Sequence, residues 1–478
     1  MKTPAVIAGS LVVLAAAYTG SAWYVGMEAE KTIRAAVEQA NNRIVKTLGP
    51  EVGSVGATVS IDEYRRGVFS SSARYTFHLQ DGDERSELAF QDTMQHGPFP
   101  WGLVQQGQFA PQLAYSRSQL VDTETVKQWF DAARGTMPLS AETRIGFGGT
   151  GASEWKFAPL EWLTEDETLS FSGGNIGVEF SNDFRDSTAR GNFASLVLGS
   201  GAQGDSITLK DIGLDAKTLT ADDESVQVNS RMDVKAMIVD TEGGESLLME
   251  EMAVVMDSTQ RSSLLDSALR YEVKRVRLGE IDLGSIVIGG KAAAFNFEAF
   301  SLLMKEYDAI AQEHGAGEDE DFDLTPEDEA RLLARLVPLL ASSPQLGVEP
   351  VSWSNEKGKS TLSLNMAFQP LEAGDTRAQE EALADALSEL RFGIELSRPM
   401  LLQVISEAAG GGDEGRQFEV FAAMIFDNYV AQLEQQGLVH VEDDRVLMKV
   451  AYQDGRVNVN GQEMSVDEFM SLLSDFGI

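Results

Sequence analysis

Ala5 to Val25 is an unbroken run of twenty-one uncharged residues, and the more than four hundred that follow are mixed and water-facing in composition. At about 1.5 Å per residue the run reaches roughly 31 Å as a helix, against a bilayer hydrocarbon core of about 30 Å. Leu11, Val12, Val13 and Leu14 form its apolar centre, and Trp23 and Tyr24 stand at its far end, where amphipathic rings favour the headgroup layer. Lys2 and the α-amino group precede the run, whereas Glu28, Glu30 and Lys31 follow it. That charge bias places residues 1–4 in the cytoplasm and the remainder outside, with residues 5–26 as a single-pass anchor. Ala15-Ala16-Ala17 offers a small-residue cleavage site, so a removed signal peptide is the alternative. The apolar run continues past that site, and either reading exports the chain.

The body carries 75 acidic and 38 basic residues, a formal charge of −37. Nucleic acid is therefore excluded as a partner, because a binder must present Lys and Arg to phosphates. Screened self-repulsion in a salty compartment is the plainest account of the charge itself. The absence of cysteine excludes disulfides, thiolate metal sites, cysteine nucleophiles and a lipid anchor on Cys.

Ala29 to Leu48 spaces Ile33, Val37, Ile44 and Leu48 as a helix does, and Gly49-Pro50 stops it, which makes residues 27–49 a helical stalk. Phe69 to Leu79 alternates almost without a break, the mark of a half-buried antiparallel strand. Strand patterns recur at Glu154–Phe157, Leu169–Phe171, Gly177–Phe180, Ser206–Leu214, Val226–Val239, Ala268–Leu278 and Asp282–Ile288, with a helical interlude at Val121–Arg134. Between Tyr271 and Leu283 the apolar phase slips twice, which predicts bulges. Phe297 to Gln312 reads as a helix, and another begins at Pro326 with Thr325 as its cap, Asp328 three residues on, and Leu332, Leu333, Leu336, Val337 and Leu340 facing inward. Further on come strands around Leu362–Phe368 and Leu390–Leu396, helices at Ala378–Ser388, Met400–Ala409 and Gln417–Gln436, and a closing hairpin, Val446–Tyr452 with Arg456–Asn460, before a helix capped at Ser465. The six residues Glu298–Leu303 and Glu468–Leu473 echo one another after a hairpin.

Candidate sites are few. His96-Gly97-Pro98-Phe99-Pro100 is a stiff bend, because each proline fixes its own φ and extends its predecessor. It reads as a structural turn with Phe99 plugged into the core rather than as a base-bearing loop. His78 sits on the polar side of its strand. Gly146, Gly148 and Gly151 satisfy a dinucleotide fingerprint in letters only, since the segment runs into Glu154-Trp155-Lys156-Phe157 and Pro159 rather than a helix. Gly358-Lys359-Ser360 lacks the first glycine of a phosphate loop, Trp353 standing in its place, and reads as a turn. Asp319, Asp321 and Asp323 imitate calcium-loop positions, but Leu324 replaces the turn glycine and Ala330 the bidentate Glu, so a solvated acidic loop is expected. Neither a GxSxG elbow nor an HExxH pair occurs.

Several segments together resemble the YdgA family of Gram-negative envelope proteins: Gly20-Ser21-Ala22-Trp23-Tyr24, Tyr64-Arg65-Arg66-Gly67-Val68-Phe69-Ser70-Ser71, His96–Pro100, Phe171-Ser172-Gly173-Gly174 and Asn460-Gly461-Gln462-Glu463-Met464-Ser465. The acidic run Glu318–Asp323 departs from that pattern. The resemblance implies an inner-membrane anchor and a periplasmic body, and brings no catalytic residues.

The expectation is a β-rich α+β protein. One transmembrane helix leads into a large curved, mostly antiparallel sheet with packed helices (50–312), an acidic loop and connecting helix (313–350) and a smaller α+β C-terminal unit (351–478). It is expected to be non-enzymatic and to bind no cofactor or metal. Its expected partners are the inner membrane and a lipid or another envelope protein, with a homo-oligomer as a further form. A one-sided apolar sheet must be covered by helices or left as a groove for an acyl chain, a pattern similar in architecture to AsmA-like groove-forming envelope proteins. The alternatives are a periplasmic scaffold and, less favoured, an envelope hydrolase.

Overall fold

The computed structural model describes residues 55–81, 84–164, 166–181, 185–200, 204–315, 322–371, 385–453 and 455–474, with 27, 30, 31, 34, 37, 38 and 41. The anchor residues Leu11, Val12, Val13, Leu14, Trp23 and Tyr24, most of the acidic run before Phe322, and residues 378–384 of the expected helix lie outside these. Among the described residues no helix is long and apolar enough to cross a membrane. Residues 27 to 41, where described, are helical, as the stalk spacing predicts.

The chain divides into two units, one of residues 1–202 and 211–222, the other of 203–210 and 223–478. In the first unit β1 (Val55–Arg66), β2 (Ser70–Asp81), β3 (Glu84–His96), β4 (Ala114–Leu120), β5 (Leu139–Ile145) and β6 (Gly151–Phe157) pair antiparallel in chain order. Helix α1 (Trp101–Gln105) and, after a single 3-10 turn, α2 (Lys127–Ala132) occupy the connections on either side of β4. The next hairpin is bent. β6 continues past Pro159 as β7 (Leu160–Leu163), and β8 (Thr168–Phe171) continues past Gly173 as β9 (Gly174–Phe180), so that β6 pairs with β9 and β7 with β8. β10 (Ser187–Gly199) lies along both β9 and β8. The core here is Phe90, Leu120, Val126 and Leu139, with Phe90 held edge-on by Phe77 and Trp155 at 5.6 and 6.0 Å. β11 (Ser206–Thr220) is shared between the units by residue.

The second unit is another meander: β12 (Val226–Asp240), β13 (Leu247–Arg261), β14 (Leu264–Leu278), β15 (Ile281–Asn296), β16 (Gln345–Asn355), β17 (Gly358–Phe368), β18 (Leu387–Ser397) and, after β19 (His440–Glu442), β20 (Arg445–Gln453). Each pairs antiparallel with the next, β18 pairing directly with β20. β19 and β21 (Arg456–Val459) pair with opposite stretches of β20, and β22 (Gln462–Ser465) pairs with β21. Helices α3 (Phe297–Glu313) and α4 (Pro326–Leu340) lie between β15 and β16, and α5 (Arg398–Ala408) and α6 (Gly412–Gln435) lie between β18 and β19. α7 (Val466–Ser474) closes the described chain.

The expected cap at Thr325 is present in full: its side chain accepts from Asp328 N–H, and Asp328 reciprocates. The repeated hexapeptides both mark a strand running straight into a helix, capped by Asn296 in one case and by Ser465 in the other. The first phase slip is a bulge between Val273 and Arg277. The second is chiefly the Gly279-Glu280 turn of the β14–β15 hairpin, followed by a smaller irregularity opposite Gly284.

Three expectations need correcting. Leu387 and Ser388 open β18 instead of ending a helix, because the two-residue alternation begins there and pairs with Phe368. Gly358-Lys359-Ser360 begins β17; the turn is Glu356-Lys357, set by Asn355 Oδ1 accepting from Lys357 N–H at 2.9 Å. Phe99 is 42% exposed rather than plugged in. The chain turns there into α1, whose Leu103 takes the buried place, and Pro100 O accepts the N–H groups of Leu103 and Val104.

Gly173 makes the bent hairpin. Its φ is +73°, and a Cβ would stand 2.7 Å from Phe157 O and 2.8 Å from Pro159 N. Gly173→Ala is therefore expected to lower stability by about 1–3 kcal/mol, read as a drop in urea midpoint, whereas Gly148→Ala, which meets nothing within 4 Å, leaves the midpoint unmoved.

Candidate functional site

The apolar face of the second unit grows out of strand register. Met232 pairs with Val254, Val254 with Tyr271, Tyr271 with Ile288, Ile288 with Val351, Val351 with Leu362, Leu362 with Ile394 and Ile394 with Met448. One row of apolar side chains thus crosses eight strands without a polar interruption. On the opposite face Arg231 and Asp233 of β12 and Arg270 and Glu272 of β14 form ion pairs, Arg231 Nη2 standing 2.6 Å from Asp233 Oδ1, with Ala253 and Val255 of β13 between them. Two bulges, between Ile288 and Lys291 and between Val348 and Val351, shift the register without breaking the row.

Helices cover this face only in part. Beyond β18, Phe392, Val450, Tyr452, Val457 and Val459 are packed under Leu433 of α6 and Phe469 and Leu472 of α7. Met400 of α5 covers Ser360, whose Oγ–H points at its sulfur at 3.7 Å. Between these, β14 to β17 form an open trough of about 400 Å³ lined by Leu269, Ala292, Leu346, Val348, Leu364 and Met366. Gly290 and Gly347 lower its floor. Leu269, Ile288 and Val348 remain exposed. At its edge Glu349 is paired with Lys291 and accepts from Asn365 Nδ2 at 2.6 Å, which holds its carboxyl below the ordinary range. The trough can shelter a hydrocarbon chain, and the dimensions suit the lower end of small-ligand sites.

The sequence motif His96-Gly97-Pro98-Phe99-Pro100 lies in the first unit. His96 is 2% exposed. Val68 O lies 3.1 Å from Nδ1, and Ser71 Oγ 2.8 Å from Nε2. A carbonyl only accepts, so neutral His96 carries its proton on Nδ1 and takes one from Ser71 at Nε2. Its backbone N–H bonds Phe69 O, Gly97 N–H bonds Leu113 O, and Pro98 O accepts from Gln112 N–H. Gly97 is required because a Cβ would overlap Gln112 O. The motif is a clamp joining the chain ahead of β2 to the end of β3 and the start of β4.

His78 is on the solvent side, between Ser60 and Glu87 at 3.1 Å each. Gly146, Gly148 and Gly151 form the β5–β6 hairpin. Among the described residues no three His, Asp or Glu side chains converge in a way that could hold a metal ion. One carboxylate that sequence did not single out is Asp92, buried on β3, where burial pushes its pKa up while Ser116 and Ser118 donate to it and oppose the rise. Its only advance sign is an acidic residue on the apolar-phase side of a strand.

After the acidic run, Asp328 accepts from Thr325 Oγ1 and N–H and stands 2.9 Å from His314 Nε2, which together lower its pKa to about 2. A carboxylate whose pKa falls on folding stabilises the fold above its unfolded value, and that contribution is lost as pH drops from about 4 toward 2. Asp328→Asn is expected to flatten the pH dependence of the urea midpoint over that window.

The chain matches the family described as bacterial protein of unknown function, DUF945, over residues 1–467. It is 26% identical to protein YdgA of Escherichia coli K12 over 99% of this chain and 97% of that one. It is 22% identical to the uncharacterised protein YihF of the same organism over 98% of each, and 27% identical to an uncharacterised Haemophilus influenzae protein over 37% of this chain and 47% of that one. No solved structure matches. Because the family match takes in both units, this chain belongs to the DUF945 family, and its resemblance to YdgA extends along its whole length.

Proposed function

We propose that this protein is a non-enzymatic envelope protein, tied to the bacterial inner membrane by residues 5–26 with its bulk in the periplasm, and that it carries a hydrophobic ligand, the acyl chain of a lipid, on the open face of its second unit. The observation that carries this reading is the apolar row from Met232 to Met448, left uncovered over the trough at Leu346, Leu364 and Met366. Water against that face costs about 25 cal/mol for each Å² an acyl chain would cover. A ligand of that chemistry needs no charged anchor, and Lys291 at the trough's edge is already paired with Glu349.

A second reading, a periplasmic scaffold, is favoured by α6. Phe418, Phe421, Ile425 and Tyr429 fall on one stripe of this helix and are exposed, while Phe426, Val430 and Leu433 on the adjoining stripe are packed. More apolar side chains are present than one buried face can use.

A photoactivatable phospholipid added to membranes carrying the full chain separates the two. Labelled peptides are expected from β14 to β17, and Leu364→Glu is expected to reduce labelling about tenfold or more, because a carboxylate against hydrocarbon costs upward of ~1.4 kcal/mol. Labelling spread evenly along the chain, or confined to α6, would refute the acyl-carrier reading.

A further inference from the structure

Register places three loops at the same end of the first unit. Ser70 pairs with Gln95, His96 with Ala114, Ala114 with Ile145 and Ile145 with Gly151, so residues 67–69, 97–113 and 146–150 all project beyond one line across the sheet. Their large apolar side chains point to solvent: Val68, Phe69, Phe99, Trp101 at 65% exposure, Phe109 at 67%, and Phe147. A rim of this kind on a soluble surface marks a contact.

The charge of these three loops is as unusual as their aromatics, although the β9–β10 connection, which leaves the same line between Phe180 and Ser187, carries Asp186. Although 75 of 478 residues are acidic, there is no Asp or Glu from Tyr64 to Gln80, from Thr93 to Val121, or from Thr143 to Ser153. These three windows contain the three loops and the strand segments that lead to them. Arg144 is present instead, and Arg65 and Arg66 are paired with Glu63 and Glu30. At the opposite end, the β2–β3 turn is flanked by Asp81 and Glu84.

The N-terminal helical residues show where the preceding chain arrives. Asn41 exchanges two hydrogen bonds with the backbone of Val59, both 2.8 Å, Arg34 lies over the Tyr64 ring at 5.6 Å, and Glu30 meets Arg66 at 3.4 Å. The helical residues therefore run antiparallel to β1, and Met27 comes last, at the Arg66 end. Arg66 pairs with Ser71, which is the rim end of the sheet. The uncharged run Ala5–Val25 ends two residues before Met27 in the chain.

We infer that this rim lies on the bilayer: Val68, Phe69, Phe99, Trp101, Phe109 and Phe147 sit in the headgroup layer of an anionic membrane, with Arg144 facing its phosphates. This rests on the reading of residues 5–26 as the anchor. The occupant is a lipid surface rather than a second copy because Met27, two residues after the apolar run, is at this end and because the three aromatic loops themselves carry no carboxylate, which anionic lipids would repel. Aromatic rings and arginines are the side chains that such an interface accepts.

The absence of cysteine allows a direct test. The full chain is reconstituted into vesicles of phosphatidylethanolamine and phosphatidylglycerol with a single polarity-sensitive fluorophore on Trp101→Cys, Phe109→Cys or Phe147→Cys, and on Asp122→Cys as the distant control. Flotation tests the anchor, and quenching by lipids spin-labelled near the headgroup tests the rim. Expected is flotation of all four, with blue-shifted, strongly quenched emission from the three rim positions and water-like, unquenched emission from position 122. Flotation with water-like emission at the rim would overturn this inference while leaving the anchor standing, and failure to float would overturn both. A blue shift that depends on protein concentration and is insensitive to the spin-labelled lipid would assign the rim to a second copy and also overturn it.

Discussion

Antiparallel register is the constraint on which the rest of this molecule depends. Side chains alternate across a strand, so a slip of one residue in any pair would turn that strand's apolar set to the other face. In the second unit seven successive pairings hold Met232, Val254, Tyr271, Ile288, Val351, Leu362, Ile394 and Met448 in one line. Four of these pairings, β12–β13, β13–β14, β14–β15 and β16–β17, are closed by short turns that fix register locally, and the other three are set across longer connections. The bulges at Lys291 and at Val348–Val351 are where the line would otherwise drift, and each restores the phase.

Local chemistry makes much of this legible in the residues alone. The near-unbroken alternation at Phe69–Leu79, the Thr325–Asp328 cap and the phase slip after Val273 each leave a local signature, and each is found where its chemistry predicts. Other elements leave none. β16 contains Pro350 and Gly347, residues that argue against a strand when read singly, and it is paired on both sides nonetheless. Phe99 reads as a core residue because it is large and apolar, yet α1 offers Leu103 for the same space. The apolar row is beyond sequence altogether, since it is a property of pairings and no single strand contains more than one of its members. The acid-free windows can be read from the sequence, but only register brings them to one edge.

The polar face of the second unit has a complementary role. Its ion pairs, Arg231 with Asp233, Arg270 with Glu272, Lys274 with Glu251 and Arg275 with Asp282, are exposed, and each is worth only about 0–1 kcal/mol. Their effect is to make that face the more polar of the two. With that face committed to water, the apolar face alone is left to take helices or a ligand, and the described helices take only its margins.

The acidity of the chain then has an uneven meaning. Spread over the surface of a β-protein, carboxylates favour solubility and keep sheet edges from pairing between molecules. Facing an anionic bilayer, each one would be repelled by an energy comparable to the ~1 kcal/mol that a basic residue gains there. A protein with 75 acidic residues can approach such a surface closely only through a region from which they have been removed. The loops 67–69, 97–113 and 146–150 carry none, and the His96 clamp is what holds two of them together: His96 Nδ1–H reaches back to Val68, and Gly97 and Pro98 reach across to Leu113 and Gln112. A buried histidine held between a carbonyl and a hydroxyl has little to offer as a base, but as the tie between two exposed aromatic loops it fixes the spacing of the rim.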